Sequence, residues 1–282
     1  MKTTLVSVAE LASMSAAAVL IVDCRKELAD PAKGRHDYTL GHIPGAVYAD
    51  LDSELSDLSK TGLGLGRHPL PSAAAFSQTL ARWGWQPGLQ VVAYDAGNGA
   101  MAAARLWWLL RYAGQPAVAV LDGGYAAWLA AGQGRETAAL RRTPNPVSVQ
   151  FDAAQVVLDH AAVLATPAPL LVDARAAPRY RGDSEPLDPV GGHVPGALNR
   201  PFADNLAADG RFKPAAELRR DFLALIGNRP VNEVVHMCGS GVTACHNLLA
   251  MEYAGLAGSR LYAPSWSGWC SDRTRPVATG AA

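Results

Sequence analysis

Two α/β domains in tandem, each a parallel sheet flanked by helices on both faces, is the architecture that the 282-residue sequence predicts. Two observations predict it. First, the second half rewrites the first in unchanged order: VLIVDCRKE at 19–27 returns as LLVDARAA at 170–177, and GHIPGAVYADL at 41–51 as GHVPGALNRPF at 192–202. Further on, VVAYDAGNGAMAAARLWWLLRYAG at 91–114 returns as VVHMCGSGVTACHNLLAMEYAG at 234–255, and LDGGYAAW as YAPSWSGW. Repeats in fixed order mark duplicated structural units. Second, short β-branched and aliphatic runs alternate with Ala- and Leu-rich stretches of helical length in each half, the pattern of a parallel sheet with crossover helices.

Taken in order, Ser7 and Glu10 have the spacing of a capping box and open a short helix. Val19 to Val22 is a continuous apolar run, as expected for a strand covered on both faces. Val91 to Tyr94 is a second such strand, followed by glycines and a helix that ends at Gly114, the expected C′ residue. In the second half Asp159 can cap a helix before the strand Leu170 to Val172, and Val234 to Met237 leads through a glycine loop into a helix that ends at Gly255. Between the halves the segment RETAALRRTPNPVSVQ is polar and carries Pro144 and Pro146. The expected division is a first domain at 1–138, a linker at 139–148 and a second domain at 149–282.

Bulk composition narrows the function. Lys and Arg total 25 and Asp and Glu total 25, so no basic excess points to nucleic acid or an anionic membrane, and a small-molecule partner fits better. Glu10 interrupts the apolar N-terminal stretch, which therefore reads as folded protein rather than a secretory signal. No apolar run approaches the roughly 20 residues that span a bilayer. Four cysteines without metal-type spacing indicate neither a disulfide framework nor a zinc site, and no metal or cofactor is expected. The cytoplasm is the expected compartment.

Chemistry concentrates in MCGSGVTA, residues 237–244. Ligands of open α/β sheets bind beyond the carboxyl ends of strands, where Cys238 falls. Gly239 and Gly241 remove side chains so that successive backbone N–H groups can turn inward, and the next helix adds its positive end. Such a cradle favours the thiolate, the reactive form of sulfur. A buried cysteine before an ordinary glycine turn is the bland alternative. The first half carries Asp95 at the matching position, with a loop two residues longer before its helix, so the halves share a scaffold but only the second has a nucleophile.

These motifs together resemble the two-domain rhodanese-type sulfurtransferases: both VD-R strands, both GH-PGA motifs, the Asp95/Cys238 asymmetry and the closing SW-x-x-W. The resemblance covers essentially the whole chain. It implies an inactive N-terminal domain and a catalytic C-terminal one, and CGSGVTA is most similar to members that use 3-mercaptopyruvate. Thiosulfate-preferring members carry basic residues just after the cysteine, where this chain has Gly239 and Ser240. The implied activity is transfer of sulfane sulfur from 3-mercaptopyruvate, through a Cys238 persulfide, to a thiol acceptor such as thioredoxin, or to cyanide, with release of pyruvate.

The resemblance also implies roles. The amides of Gly239, Ser240, Gly241, Val242 and Thr243 would stabilise the persulfide anion. Ser240 would form a relay with His68 and Asp52. Read from the residues alone, Ser240 is a small residue in a tight turn, His68 a surface-loop histidine, and Asp52 part of a solvated acidic face with Asp50, Glu54 and Asp57. Arg179 matches one of two arginines expected to hold the donor carboxylate, since a guanidinium fork fits two oxygens. The second falls on Leu187, with Arg200 or Arg181 as possible substitutes. Gly268 stands where relatives often have Glu.

His42 and His193 occur in both halves and read as structural, Cys24 and Cys245 as core, Trp107 and Trp108 as an apolar helix face, and Cys270 as exposed and oxidisable. Two rival classes remain. Phosphatases of this fold carry Cys-x5-Arg, and Ala244 occupies the arginine position here. A non-catalytic binding module would be marked by loss of the loop cysteine, and Cys238 is present. Thiosulfate is the alternative donor.

Overall fold

The structure, a computed structural model, describes residues 1–140 and 142–281. Arg141, inside the expected 139–148 linker, and Ala282, at the end of the expected second domain, lie outside the described residues. The chain forms two compact units, one of Met1–Ser56, Pro71–Asp152 and Ala208–Phe212, the other of Asp57–Leu70, Ala153–Ala207 and Lys213–Ala282. Two short segments therefore belong to the unit opposite to their place in the sequence.

In the first unit, β1 (Leu5–Val6), β2 (Val19–Asp23), β3 (Val47–Tyr48), β4 (Gln90–Tyr94) and β5 (Val118–Leu121) form a parallel sheet in the order β1-β5-β4-β2-β3. Its helices are α1 (Val8–Ala12), α2 (Lys33–Leu40), α3 (Ala73–Arg82), α4 (Ala102–Tyr112) and α5 (Gly124–Ala130). The second unit repeats the plan. Its strands β6 (Val156–Val157), β7 (Leu170–Asp173), β8 (Leu198–Asn199), β9 (Val234–Met237) and β10 (Arg260–Tyr262) run parallel in the order β6-β10-β9-β7-β8. Helices α6 (His160–Val163), α7 (Ala177–Arg181), α8 (Ala215–Ile226), α9 (Ala244–Tyr253) and α10 (Ser265–Trp269) accompany it.

Local sequence explains the element ends. Ser7 and Glu10 form the reciprocal capping box of α1, and Asp159 accepts from the Ala161 amide at 2.8 Å to start α6. Helices α4 and α9 both stop at a left-handed glycine, Gly114 at φ +71° and Gly255 at φ +73°. Each is followed by an amide that reaches back to an orphan carbonyl, Gln115 to Leu110 and Leu256 to Met251, both at 2.8 Å. Strands β2 and β9 are buried along their whole length, as parallel strands under helices must be. The two extra residues of the first repeat are divided: α4 starts seven residues after Asp95 and α9 six after Cys238, and α4 has 11 residues against 10.

The polar segment between the halves is held against the first unit. Arg142 donates to the Val19 carbonyl at 3.3 Å, the Asn145 amide to Ala81 at 3.1 Å, and the Val149 amide to Ser77 Oγ at 3.0 Å. Among the described residues no helix is long and apolar enough to cross a membrane.

Both GH-PGA motifs build the same brace. His42 stacks on Tyr38 at 3.9 Å between ring centres and shares a hydrogen bond with its carbonyl, and His193 does the same on Tyr180 at 3.8 Å. In parallel, Arg25 grips Asp23 and the Gly41 carbonyl, while Arg175 grips Asp173 and the Gly192 carbonyl. These pairs tie the ends of β2 and β7 to the turns that follow, and the histidines are structural in both units.

Candidate active site

Parallel register brings Asp173, the last residue of β7, beside Met237, the last of β9, so that Cys238 is the first residue beyond the sheet. Cys238 is 2% exposed. The 262–267 segment clamps it. Its amide donates to Ser265 Oγ at 3.2 Å, its carbonyl accepts from Trp266 at 3.0 Å, and the Gly239 carbonyl accepts from Ser267 at 2.9 Å. Ser265 adopts the left-handed region at φ +53°, uncommon for a residue with a side chain, and its hydroxyl donates to the Tyr262 carbonyl at 2.9 Å. Gly241 has φ +75°, and a Cβ there would stand 2.5 Å from the Ala263 carbonyl oxygen. Glycine is thus required both by conformation and by the closeness of the clamp. Among the described residues, the amides of Gly239, Ser240, Val242 and Thr243 donate to no other protein group. They precede the N-terminus of α9, where Thr243 is the cap residue. Such donors suit an anion.

The first unit shows what this loop geometry binds. Asp95, in the place of Cys238, is 4% exposed and turns its carboxylate back into its own loop, accepting from the amides of Gly97 at 3.1 Å, Gly99 at 2.9 Å and Met101 at 3.2 Å. Burial raises its pKa while those three amides oppose the rise. The loop of the first unit is a filled anion cradle.

Ser240, 7% exposed, places its hydroxyl 2.8 Å from His68 Nδ1. His68 lies in the 57–70 loop, which belongs to the same compact unit as Cys238. That loop is closed by the Asp57 amide on the Pro69 carbonyl at 2.9 Å and anchored by the Arg67 amide on Ser267 Oγ at 3.0 Å. Asp52 lies in the first unit, where its carboxylate accepts from Lys26 Nζ. The structure therefore brings Cys238, Ser240 and His68 into one unit and places Asp52 in the other.

Arg179, on α7, extends its guanidinium to the same loop: a Cβ on Gly239 would meet Arg179 Nη2 at 3.5 Å. Its fork holds Glu185 at 2.6–3.0 Å and reaches Asp188 at 3.2 Å. Burial works against the Glu185 charge, but the Arg179 hydrogen bonds and the Leu187 amide outweigh it and hold the carboxyl below its ordinary range. Sequence reasoning missed Arg67, whose Nη2 would lie 2.9 Å from that same Cβ and whose Nη1 bonds to Asp188. Three guanidiniums, Arg67, Arg179 and Arg175, thus interleave with three carboxylates, Asp188, Glu185 and Asp173. Charge reaches a loop that is neutral in sequence from outside it, in a cluster without net charge.

Several expectations are corrected. Arg200 bonds to Asn205 and the Asp204 carbonyl and lies over Phe222, and Arg181 pairs with Asp183, so each is engaged away from Gly239. Leu187 is 49% exposed. Cys270 is 2% exposed rather than an accessible thiol, and burial raises its pKa to about 11. Cys24 and Cys245 are fully buried, as are Trp107 and Trp108 on α4. Among the described residues no cluster of three or more His, Cys, Asp or Glu could hold a metal ion.

Comparison with known proteins gives consistent matches. The family model described as "Rhodanese-like domain" matches residues 7–131 and 158–272. The chain is 49% identical over 273 residues to the probable 3-mercaptopyruvate sulfurtransferase of Pseudomonas aeruginosa, covering 95% of each chain. It is 41% identical over 286 residues to the putative thiosulfate sulfurtransferase SseB of Mycobacterium tuberculosis, covering 99% of this chain and 98% of that one. The solved 3-mercaptopyruvate sulfurtransferase of Leishmania major superposes with a TM-score of 0.83 at 32% identity, covering 94% of this chain and 73% of that one.

Proposed function

The chain belongs to the rhodanese-like domain family, and from that premise we propose that it is a sulfurtransferase which takes sulfur from 3-mercaptopyruvate onto Cys238 and passes it to a thiol acceptor or cyanide. The observation that carries this reading is the placing of Cys238 at the mouth of an amide cradle, with the Arg179 guanidinium at the adjacent Gly239. A cradle for a sulfur anion beside a cation for a carboxylate matches a donor that bears both groups.

In the proposed cycle the Cys238 thiolate attacks the donor sulfur. An S–S bond forms, the C–S bond breaks, and its electron pair leaves on carbon as the pyruvate enolate. The proton of the donor thiol ends on that carbon to give pyruvate, leaving the persulfide anion against the amides of Gly239 to Thr243. The 2.8 Å contact between Ser240 and His68 supports a role for this pair in carrying the proton, histidine being the side chain suited to proton exchange near neutral pH. An acceptor thiolate, such as that of thioredoxin, or cyanide then attacks the outer sulfur, and the S–S bond breaks to return the Cys238 thiolate. We place this activity in the cytoplasm.

Thiosulfate is the second reading. It is favoured by the two guanidiniums at Gly239 and by the likeness to a relative named for that donor. Against it, Asp188 and Glu185 cancel much of the charge that a dianion would seek. The deciding measurement is sulfur transfer to cyanide from the two donors in parallel, on the native protein and on Cys238→Ser. A large kcat/KM advantage for mercaptopyruvate that vanishes in Cys238→Ser supports the first reading. An advantage for thiosulfate selects the second, and no transfer from either donor rejects both.

A further inference from the structure

We propose that His160 is a positioning residue for this reaction: its imidazole holds the 57–70 loop by the Gly64 carbonyl, and Tyr262 fixes which ring nitrogen makes that bond, so that His68 meets Ser240. The inference rests on the sulfurtransferase reading, with its Ser240 and His68 pair, and deepens it. Gly62, Gly64 and Gly66 all have left-handed backbones, at φ +89°, +77° and +84°. Glycine loses more conformational freedom on ordering than any other residue, so such a run needs holding. It lies on the backbone of α10. A Cβ on Gly66 would stand 2.5 Å from the Pro264 carbonyl oxygen, and one on Gly268 would stand 2.6 Å from the Gly64 carbonyl oxygen and 3.1 Å from the Gly66 nitrogen. Among the described residues, the side-chain hydrogen bond that falls on the run comes from His160, whose Nε2 is 3.0 Å from the Gly64 carbonyl oxygen. His68 follows shortly after in the same loop, 2.8 Å from Ser240 Oγ.

A carbonyl can only accept, so this contact requires the proton on Nε2. In the neutral ring Nδ1 is then an acceptor, and the Tyr262 hydroxyl donates to it. Tyr262 is fully buried, and among the described residues its hydroxyl bonds to no other group. The edge of the imidazole also meets Trp269 at 6.2 Å between ring centres. The charged groups that face it are Arg275, Asp272 and, at the cap of its own helix, Asp159. Burial first and the Arg275 charge second lower its pKa, outweighing the Gly64 bond and the two carboxylates, so near neutral pH the ring has one N–H and presents it to the loop. Tyr262 serves the sulfur as well. Its carbonyl accepts at 2.9 Å from Ser265 Oγ, which itself accepts from the Cys238 amide at 3.2 Å. One residue thus braces the nucleophile through its backbone and the loop of His68 through its side chain. The first unit has the scaffold without this device. Val8 opens α1 where His160 opens α6, and Leu121 ends β5 where Tyr262 ends β10. Both are buried and apolar, and neither can hold a carbonyl.

The test is kcat for sulfur transfer from 3-mercaptopyruvate to cyanide in the native protein, His160→Phe and His160→Gln, each also in the Ser240→Ala background. His160→Phe should lower kcat by about tenfold, the loss expected when one hydrogen bond that aligns a reacting group is removed. Gln can present an amide N–H to Gly64, so His160→Gln should stay within about threefold of native. In the Ser240→Ala background His160→Phe should cost less than about twofold more, because it acts through the pair already removed. A merely structural role would give independent, multiplying losses and no rescue by Gln. NMR of the imidazole nitrogens of the native protein, which needs no variant to fold, should find His160 with its proton on Nε2. A proton on Nδ1, an unchanged kcat in His160→Phe, or multiplying losses would overturn the inference and leave the sulfurtransferase reading intact. Native kcat in Ser240→Ala would remove the pair and the inference together, and absence of transfer by the native protein would sink the sulfurtransferase reading itself.

Discussion

His68 Nδ1 lies 2.8 Å from Ser240 Oγ, although the two residues are 172 positions apart in the chain. The contact joins the 57–70 loop to the loop that starts at Cys238, and it sets a hydroxyl–imidazole pair two residues along the chain from Cys238.

That pair predicts a shared kinetic effect. Ser240→Ala and His68→Phe should each lower kcat for mercaptopyruvate by about 100-fold, the usual scale of positioned acid–base catalysis. The double variant should fall little further, since the two side chains act as one unit. Alkylation of Cys238 by iodoacetamide should proceed at a similar rate in all four proteins. Independent, multiplying losses would refute the pair.

Cys238→Ser should abolish turnover. The native protein treated with donor and no acceptor should gain the mass of one sulfur atom on the peptide containing Cys238, and cyanide should remove it. Persistence of that mass gain in Cys238→Ser would assign the persulfide to another thiol. Cys24, Cys245 and Cys270 are poor candidates because all three are buried and burial raises the pKa of Cys24 and Cys270.

Gly241→Ala should destabilise the protein by about 2–4 kcal/mol, combining the cost of a left-handed alanine with crowding against the Ala263 carbonyl. Gly97 serves as the control. Among the described residues other than its two chain neighbours, none has an atom within 4 Å of a Cβ placed there, so Gly97→Ala should stay within about 0.5 kcal/mol. Urea denaturation reads both, and equal costs would contradict the clamp.

Acid should weaken the fold through His236. This residue is fully buried on β9, its Nδ1 has no partner among the described residues, and burial lowers its pKa to about 3 from 6.5. A folded-state pKa below the unfolded one means that the unfolded chain binds the proton first. The stability contribution is therefore complete above pH 6.5 and is lost as pH falls from 6.5 towards 3, with a slope of at most about 1.4 kcal/mol per pH unit. His236→Leu should flatten that part of the stability–pH curve. An unchanged slope would mean that carboxylates such as Glu185, also held below its usual range, dominate acid sensitivity.

The sequence by itself determined the duplicated α/β plan, the strands at Val19 and Val234, the caps at Ser7 and Asp159, the glycine stops at Gly114 and Gly255, and the contrast between Asp95 and Cys238. Each of these is written in periodicity, in capping chemistry or in the repeat, all of which are local or self-comparing signals. Tertiary structure alone decided that Arg67 stands over Gly239, that Asp188 spaces it from Arg179, that Cys270 is buried and that residues 142–149 pack on the first unit. Those outcomes depend on which backbones approach closely enough to touch. Before the fold brings Gly66 against Pro264 and Gly268 against Gly64, the only trace of that approach is a side chain missing from each glycine.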